Sequence, residues 1–323
     1  MMTSSTRTID LSKLDGWAPA TLDPRIWTTN VEALAEANPS LAESLRALSL
    51  PDSWQPAQAL DGWSTFRLEA RGQPAHWLAG TAAPAQRAET LLREVDHGGR
   101  NVALTTVGAG AALVRLLWRL PAHLAIFAFE QDLRRLAAVL RLQPLADAIR
   151  AWRCVLVPPG QEEPYLSELV EAQPGLQPPG HIVLPDLSEP AWVERLRGLC
   201  EQLHDRTLQY RRKRLDELAA HFRGRQARLS ETPRTAVIAL QPYPVTAAVA
   251  EALAEAARGL GWTALPCTAT TPQTAYPLPH CEALTRLQPE LTVFVNHAPG
   301  LLPLTPPGRR CAWFHHANSV PAD

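Results

Sequence analysis

The stretch from residue 102 to residue 157 constrains the fold more than any other part of the chain, because apolar runs and helical runs alternate in it through short, well-marked joints. Residues 102–107 form an apolar run of strand length, Gly108-Ala109-Gly110 supplies a tight turn, and residues 111–120 carry helical spacing up to Pro121. Residues 124–129 form a second apolar run with Glu130 at its end, 131–142 a second helix, and 154–157 a third strand closed by Pro158-Pro159-Gly160. This order predicts a βαβαβ unit with parallel strands and right-handed crossovers. Residues 181–184 are expected to add a strand after a proline-rich loop.

The same alternation returns near the C-terminus. Strands are expected at 235–240, 262–266, 291–295 and 310–314, and helices at 245–260 and 281–287. Between the two units, Trp192, Leu196, Leu199, Leu203, Tyr210, Leu215, Leu218 and Phe222 recur mostly at steps of three and four, which predicts one long helix or two stacked ones. At the N-terminus, residues 26–50 read as one or two short helices broken at Pro39 and Pro51, 64–70 and 75–78 as a hairpin across Arg71-Gly72, and 85–95 as an amphipathic helix. The expected fold class is therefore α/β: two Rossmann-like parallel-sheet units joined by a helical bridge, with a small N-terminal α+β segment. The expected boundaries are 1–80, 81–188, 189–229 and 230–323.

Charge and cysteine content narrow the function. The 31 basic and 32 acidic side chains nearly cancel, leaving a formal charge of −1, so no whole-chain attraction for nucleic acid or an anionic membrane is expected. The basic run Arg211 to Arg214, with Arg223, Arg225 and Arg228, is read as a solvated helix face partnered by Glu201, Asp205, Asp216 and Glu217. The five cysteines, Cys154, Cys200, Cys267, Cys281 and Cys311, form no C-x-x-C pair, and no metal site is expected from them. The first residues lack an apolar signal segment and no uncharged run reaches the length of a membrane span, so the expected location is the cytoplasm.

Two constellations are candidates for chemistry. The first is Gly108 and Gly110 with Glu130, which follows Gly108 by 22 residues. Glycines let a backbone approach a nucleotide at a helix N-terminus, and a strand-end carboxylate about 20 residues on can accept from a ribose diol. Leu113 stands where the third glycine of a dinucleotide fingerprint would be, so the shortened motif is nearer the S-adenosylmethionine form. The structural alternative is a plain βα turn with Glu130 capping the next helix. The second is Asn296 and His297 after one strand and His315 and His316 after the next, where parallel sheets bind ligands and a histidine can act as general base. The structural alternative there is loop histidines bonded to backbone. No residue is assigned a catalytic role by the sequence.

Several stretches resemble a known family. Residues 30–48, 62–92 and 107–157, with "AFEQDLRRLAAVLRLQPLADAIR", resemble the region preceding the catalytic part of bacterial motility-accessory-factor proteins, which are flagellin-modifying sugar transferases. The segment "LQPELTVFVNHAPGLLPLTPPGRRCAWFHHAN" is similar to the N-terminal half of spore-maturation-type glycosyltransferases of the GT-B fold. The resemblance implies a nucleotide-sugar donor and a protein or glycan acceptor of flagellin type, with Asn296, His297, His315 and His316 facing an interdomain cleft. It also implies that a second GT-B half would follow, so the isolated chain is expected not to transfer sugar alone. The rival expectations are an S-adenosylmethionine-dependent methyltransferase centred on Gly108, Gly110 and Glu130, and a non-catalytic acceptor-recognition or scaffold module.

Overall fold

The computed structural model describes residues 18–69, 75–93, 95, 98–185, 189–222, 232–297, 302–304 and 308–313. Its strands form one antiparallel and two parallel sheets of four strands each. The antiparallel sheet runs in the order β1 (Ala18–Pro19), β2 (Trp54–Gln58), β3 (Ser64–Leu68), β4 (His76–Trp77). The expected hairpin is its β3–β4 pair, whereas β2, which contains Pro56, was not among the expected strands. The strand tolerates that proline because Pro56 turns its donor-less nitrogen toward the two-residue β1, its carbonyl accepting from Ala20 at 3.1 Å.

The first parallel sheet is built from β5 (Asn101–Leu104), β6 (Ile126–Phe129), β7 (Cys154–Val157) and β8 (Pro179–Val183), in the order β7-β6-β5-β8. The order reverses direction between β5 and β8. Every residue of β5, β6 and β7 is buried, as strands covered on both faces must be. Helices α1 (Pro24–Ala37), α2 (Pro39–Arg46), α3 (Pro84–Arg93), α4 (Ala111–Arg119) and α5 (Leu133–Leu142) share a core with one face, reinforced by the short α6 (Ala146–Arg150). The other face is covered by α7 (Glu162–Ala172) and the first half of α8 (Pro190–Phe222). The proline-rich loop expected ahead of β8 contains α7 instead. Pro164 lies in the first turn, where its missing N–H breaks no helical bond.

The second parallel sheet contains β9 (Arg234–Ala239), β10 (Thr263–Thr268), β11 (Leu291–Val295) and β12 (Arg309–Trp313), ordered β10-β9-β11-β12. Here the reversal falls between β9 and β11. One face packs on α9 (Pro244–Gly259), the other on α10 (Leu278–Leu287) and the last turns of α8. The two alternating units therefore form separate parallel sheets, with β5 beside β6, as the grammar of the sequence required.

The bridge is one helix of 33 residues, about 50 Å long, and it serves both cores. Trp192, Leu196 and Leu203 pack under the first parallel sheet, and Leu218 packs under the second. Arg211 corrects the expectation of a solvated basic face: its side chain is buried where the two units meet. Its guanidinium donates to the Pro174 carbonyl at 2.9 Å, the Leu176 carbonyl at 2.9 Å and Gln177 Oε1 at 3.1 Å, and lies 3.8 Å from the Tyr276 ring centre. Arg214 pairs with Glu217 and with Glu282 of α10, while Arg212 and Lys213 are exposed. The remaining arginines of that expectation, Arg223, Arg225 and Arg228, lie outside the described residues. Among the described residues no helix is long and apolar enough to cross a membrane.

The seam is tight at Gly175, where a Cβ would stand 1.5 Å from the Gln273 carbonyl oxygen. Gly198, inside α8, has open space around the same position. Gly175→Ala is expected to lower stability by about 3 kcal/mol through overpacking, and Gly198→Ala to raise it by about 0.8 kcal/mol through helix propensity. Urea denaturation of the two variants checks the opposite signs. Equal, small effects would mean the two units are not pressed together at this seam.

Candidate functional site

The glycine turn lies beyond the carboxyl ends of β5 and β8, at the reversal of the first parallel sheet, where such sheets bind ligands. Gly108 and Gly110 both adopt left-handed backbone, with φ of 51° and 81°. At Gly110 the absence of a side chain serves packing: a Cβ would lie 2.6 Å from Gln143 and 2.7 Å from Val139, both at the end of α5. Gly108 has no such neighbour and borders a crevice lined by Thr81, Arg87, Thr106, Ala111 and Pro185. That crevice is small and half open to solvent, with about 30 Å³ available to the centres of water molecules.

Glu130 is buried, and protein donors occupy both carboxylate oxygens. Oε2 accepts from the Thr106 hydroxyl at 2.6 Å and the Val107 amide at 3.2 Å; Oε1 accepts from the amides of Gln131 at 2.9 Å and Asp132 at 3.3 Å. The carboxylate ties the loop after β5 to the end of β6. It does not cap α5, whose first turn is capped by Asp132. This clamp also explains why β5 ends at Leu104 instead of reaching residue 107. Other groups hold the same loop: Trp192 donates to the Thr105 carbonyl, and Trp63 and Gln143 both donate to the Ala109 carbonyl. Sequence reasoning missed these three partners, which come from segments distant in the chain.

The second constellation lies at the reversal between β9 and β11. Asn296 takes left-handed backbone (φ 59°), a conformation that asparagine tolerates better than most residues, so the chain turns sharply off the end of β11. The turn is held from both sides: the Asn296 amide donates to the Trp313 carbonyl of β12 at 2.7 Å, and Gln241, just past β9, donates to the Asn296 carbonyl at 3.4 Å. His297 is thereby folded back on β11, its ring edge-on to Phe294 with centroids 5.5 Å apart and only 4% of its surface exposed. Nδ1 lies 2.8 Å from the Val295 carbonyl oxygen. A carbonyl only accepts, so Nδ1 carries the proton and the neutral ring presents a lone pair at Nε2.

Among the described residues that lone pair has no hydrogen-bond partner, although the atom is buried. Burial holds the His297 imidazole below its ordinary 6.5, which keeps the ring neutral and the lone pair available. Buried atoms without a partner occur elsewhere too, at Thr65 Oγ1 and His221 Nε2; one of them, Gln273 Oε1, stands in the short helical turn (Pro272–Thr274) that follows β10. His297 Nε2 and Gln273 Oε1 therefore lie beyond carboxyl ends of the same parallel sheet. Each leaves about 1–3 kcal/mol of desolvation unrecovered, and a donor supplied by a ligand would recover it. His315 and His316 lie outside the described residues. Asn296 and His297 sit at the second sheet's carboxyl edge, whereas the seam joins that side of the sheet to the loop preceding β8, at the opposite end of the first sheet from Gly108. The two constellations are not brought together.

No protein-family model matches the chain, and no curated protein matches it. Among solved structures, a MAf glycosyltransferase from Magnetospirillum magneticum AMB-1 is similar over 86% of this chain with 14% sequence identity and a TM-score of 0.42, an overlap too loose to fix a common fold. The chain spans about half the length of that protein, 50% of it being covered.

Two expectations follow from the site. Glu130→Ala strands two buried donors, the Thr106 hydroxyl and the Val107 amide, and is expected to cost about 3 kcal/mol in the ligand-free protein; unchanged denaturation would show that the clamp does not hold the loop. His297 and His280 are both kept below the ordinary histidine value by burial. The unfolded chain therefore binds protons first as pH falls below 6.5, so stability is full above that value and declines beneath it. Urea midpoints measured from pH 7.5 down to about 5 should show that decline, and His297→Gln should flatten it in part.

Proposed function

We propose that this chain is the acceptor-holding portion of a sugar-transfer enzyme, with the reacting hydroxyl received at the crevice between β9 and β11. One observation carries the reading: the buried Nε2 lone pair of His297, locked as an acceptor by its Nδ1–H bond to Val295 and left without a donor. A hydroxyl is the complementary group, since it donates to an imidazole nitrogen and becomes more nucleophilic as that proton is drawn away. In transfer from a nucleotide sugar, the acceptor oxygen bonds to the anomeric carbon, the bond from that carbon to the leaving phosphate breaks, and the hydroxyl proton passes to Nε2. The resemblance of the segment around Asn296 and His297 to glycosyltransferase sequences supports the same reading.

In the ligand-free state Nε2 is sealed from water, so acceptor binding requires the crevice to open. Asn296 positions the histidine through its left-handed turn, and Gln241 and Trp313 hold that turn in place. The methyltransferase alternative gains nothing from Glu130, whose oxygens are engaged by protein donors.

The test is imidazole nitrogen NMR on the chain, titrated with glycan acceptors and flagellin-type glycopeptides. The Nε2 resonance should begin at the value of an unprotonated nitrogen and move as a hydroxyl bonds to it. His297→Gln should weaken acceptor binding about tenfold, the worth of one buried hydrogen bond. An Nε2 signal unmoved by every acceptor, or binding unaffected by the substitution, overturns the assignment.

A further inference from the structure

β12 departs from the rule that parallel strands are covered on both faces. Among the described residues it sits at the edge of its sheet and pairs with β11 alone, and every residue from Arg309 to Trp313 is exposed. Its backbone parity is fixed by two bonds to the β11 side: the Arg309 amide donates to the Glu290 carbonyl, and the Trp313 carbonyl accepts from the Asn296 amide. In a parallel ladder a residue's N–H and C=O point the same way. Arg309, Cys311 and Trp313 therefore face β11, and Arg310 and Ala312 present their N–H and C=O groups outward.

We propose that β12 pairs with β12 of a second copy of this chain, antiparallel about a two-fold axis at Cys311, joining the two four-stranded sheets into one of eight strands. Three features of the strand fit this occupant. First, with the axis at Cys311, Arg310 stands opposite Ala312 of the partner copy and the reverse, so the outward backbone groups make four hydrogen bonds with none left over. Second, Arg309 stands opposite the partner copy's Trp313, a cation over an aromatic ring at each end of the interface. An axis at Arg310 would instead set two guanidinium groups face to face. Third, Cys311 meets Cys311 of the partner copy as a non-hydrogen-bonded pair. The Cα separation of such a pair, about 4.5 Å, lies within disulfide reach. A charged edge ordinarily discourages strand addition, but here the register places each charge beside an aromatic or an alanine.

Cys154, Cys200, Cys267 and Cys281 are buried and Cys311 is exposed, so a thiol oxidant reports on this interface. Sedimentation of the whole chain should show a concentration-dependent dimer. Diamide, which takes up the two thiol hydrogens as the sulfur–sulfur bond forms, should convert it to a covalent dimer under non-reducing conditions. Cys311→Ser should abolish the covalent product and keep the sedimenting dimer. Cys311→Lys, which puts like charges on the axis of an exposed position, should raise the dissociation constant about tenfold or more. Ala312→Pro deletes an outward amide without touching the β11 ladder, and should give a folded monomer by circular dichroism. A chain that stays monomeric at about 100 μM, far above the dissociation constant of a specific interface, overturns the proposal. So does a dimer that persists in both Cys311→Lys and Ala312→Pro, or one in which diamide forms no bond.

Discussion

The relative placement of the two parallel sheets depends on one buried cation. Arg211 lies midway along α8, after the residues that cover the first sheet and before those that cover the second. Burial draws its guanidinium down to about 10, so it remains charged at neutral pH and must be satisfied where it sits. Two backbone carbonyls and a side-chain oxygen from residues 174–177 satisfy it on one side, and the Tyr276 ring covers it on the other. Removing the cation would leave those carbonyls buried without donors. The same loop carries Gly175 against Gln273, so charge satisfaction and close approach fix the same seam. With α8 held there, Arg214 reaches Glu282 and the second core closes on Leu218.

That seam separates the two carboxyl edges at which ligands could bind. The loop after β5 is clamped by Glu130, Trp192, Trp63 and Gln143, and its polar groups are largely spent on the protein itself. The turn after β11 is also clamped, by Gln241 and Trp313, but the side chain it presents keeps one valence open. Polar satisfaction thus distinguishes two edges that look alike as topology. A group whose every acceptor is filled holds structure, and a buried acceptor left open is a place where a ligand changes the balance.

The sequence disclosed the two alternating units, their parallel strands and a helical bridge of one or two helices, because each rests on local periodicity and short joints. β7 and β11 fall on the residues their apolar runs predicted. What it concealed depends on distant partners. α7 lay unread in a stretch taken as a proline-rich loop, and its Pro164 fits because it stands in the first turn. Arg211 belonged to a basic run that reads as solvated until residues 174–177 are brought against it. Glu130 was legible as a strand-end carboxylate, yet nothing local says that Thr106 and Val107 will turn back to fill it.

The glycine pair shows why this limit is physical. A left-handed turn at Gly108 and Gly110 is legible from the G-x-G pattern, since glycine enters that backbone region without steric cost. The purpose of each glycine is not legible, because a ligand's phosphate and a neighbouring helix impose the same demand for a missing side chain. Only the coordinates separate them: α5 occupies the space a Cβ would need at Gly110, while at Gly108 the nearest atom is the Ala79 Cα at 3.9 Å. One glycine of the pair is thus committed to the fold. The other borders a small crevice that is open to solvent in the ligand-free protein. For His297 the discrimination runs in the opposite direction. Its position was legible at the end of an apolar strand, and the coordinates add that its proton is pinned on Nδ1, which leaves the chemistry to Nε2.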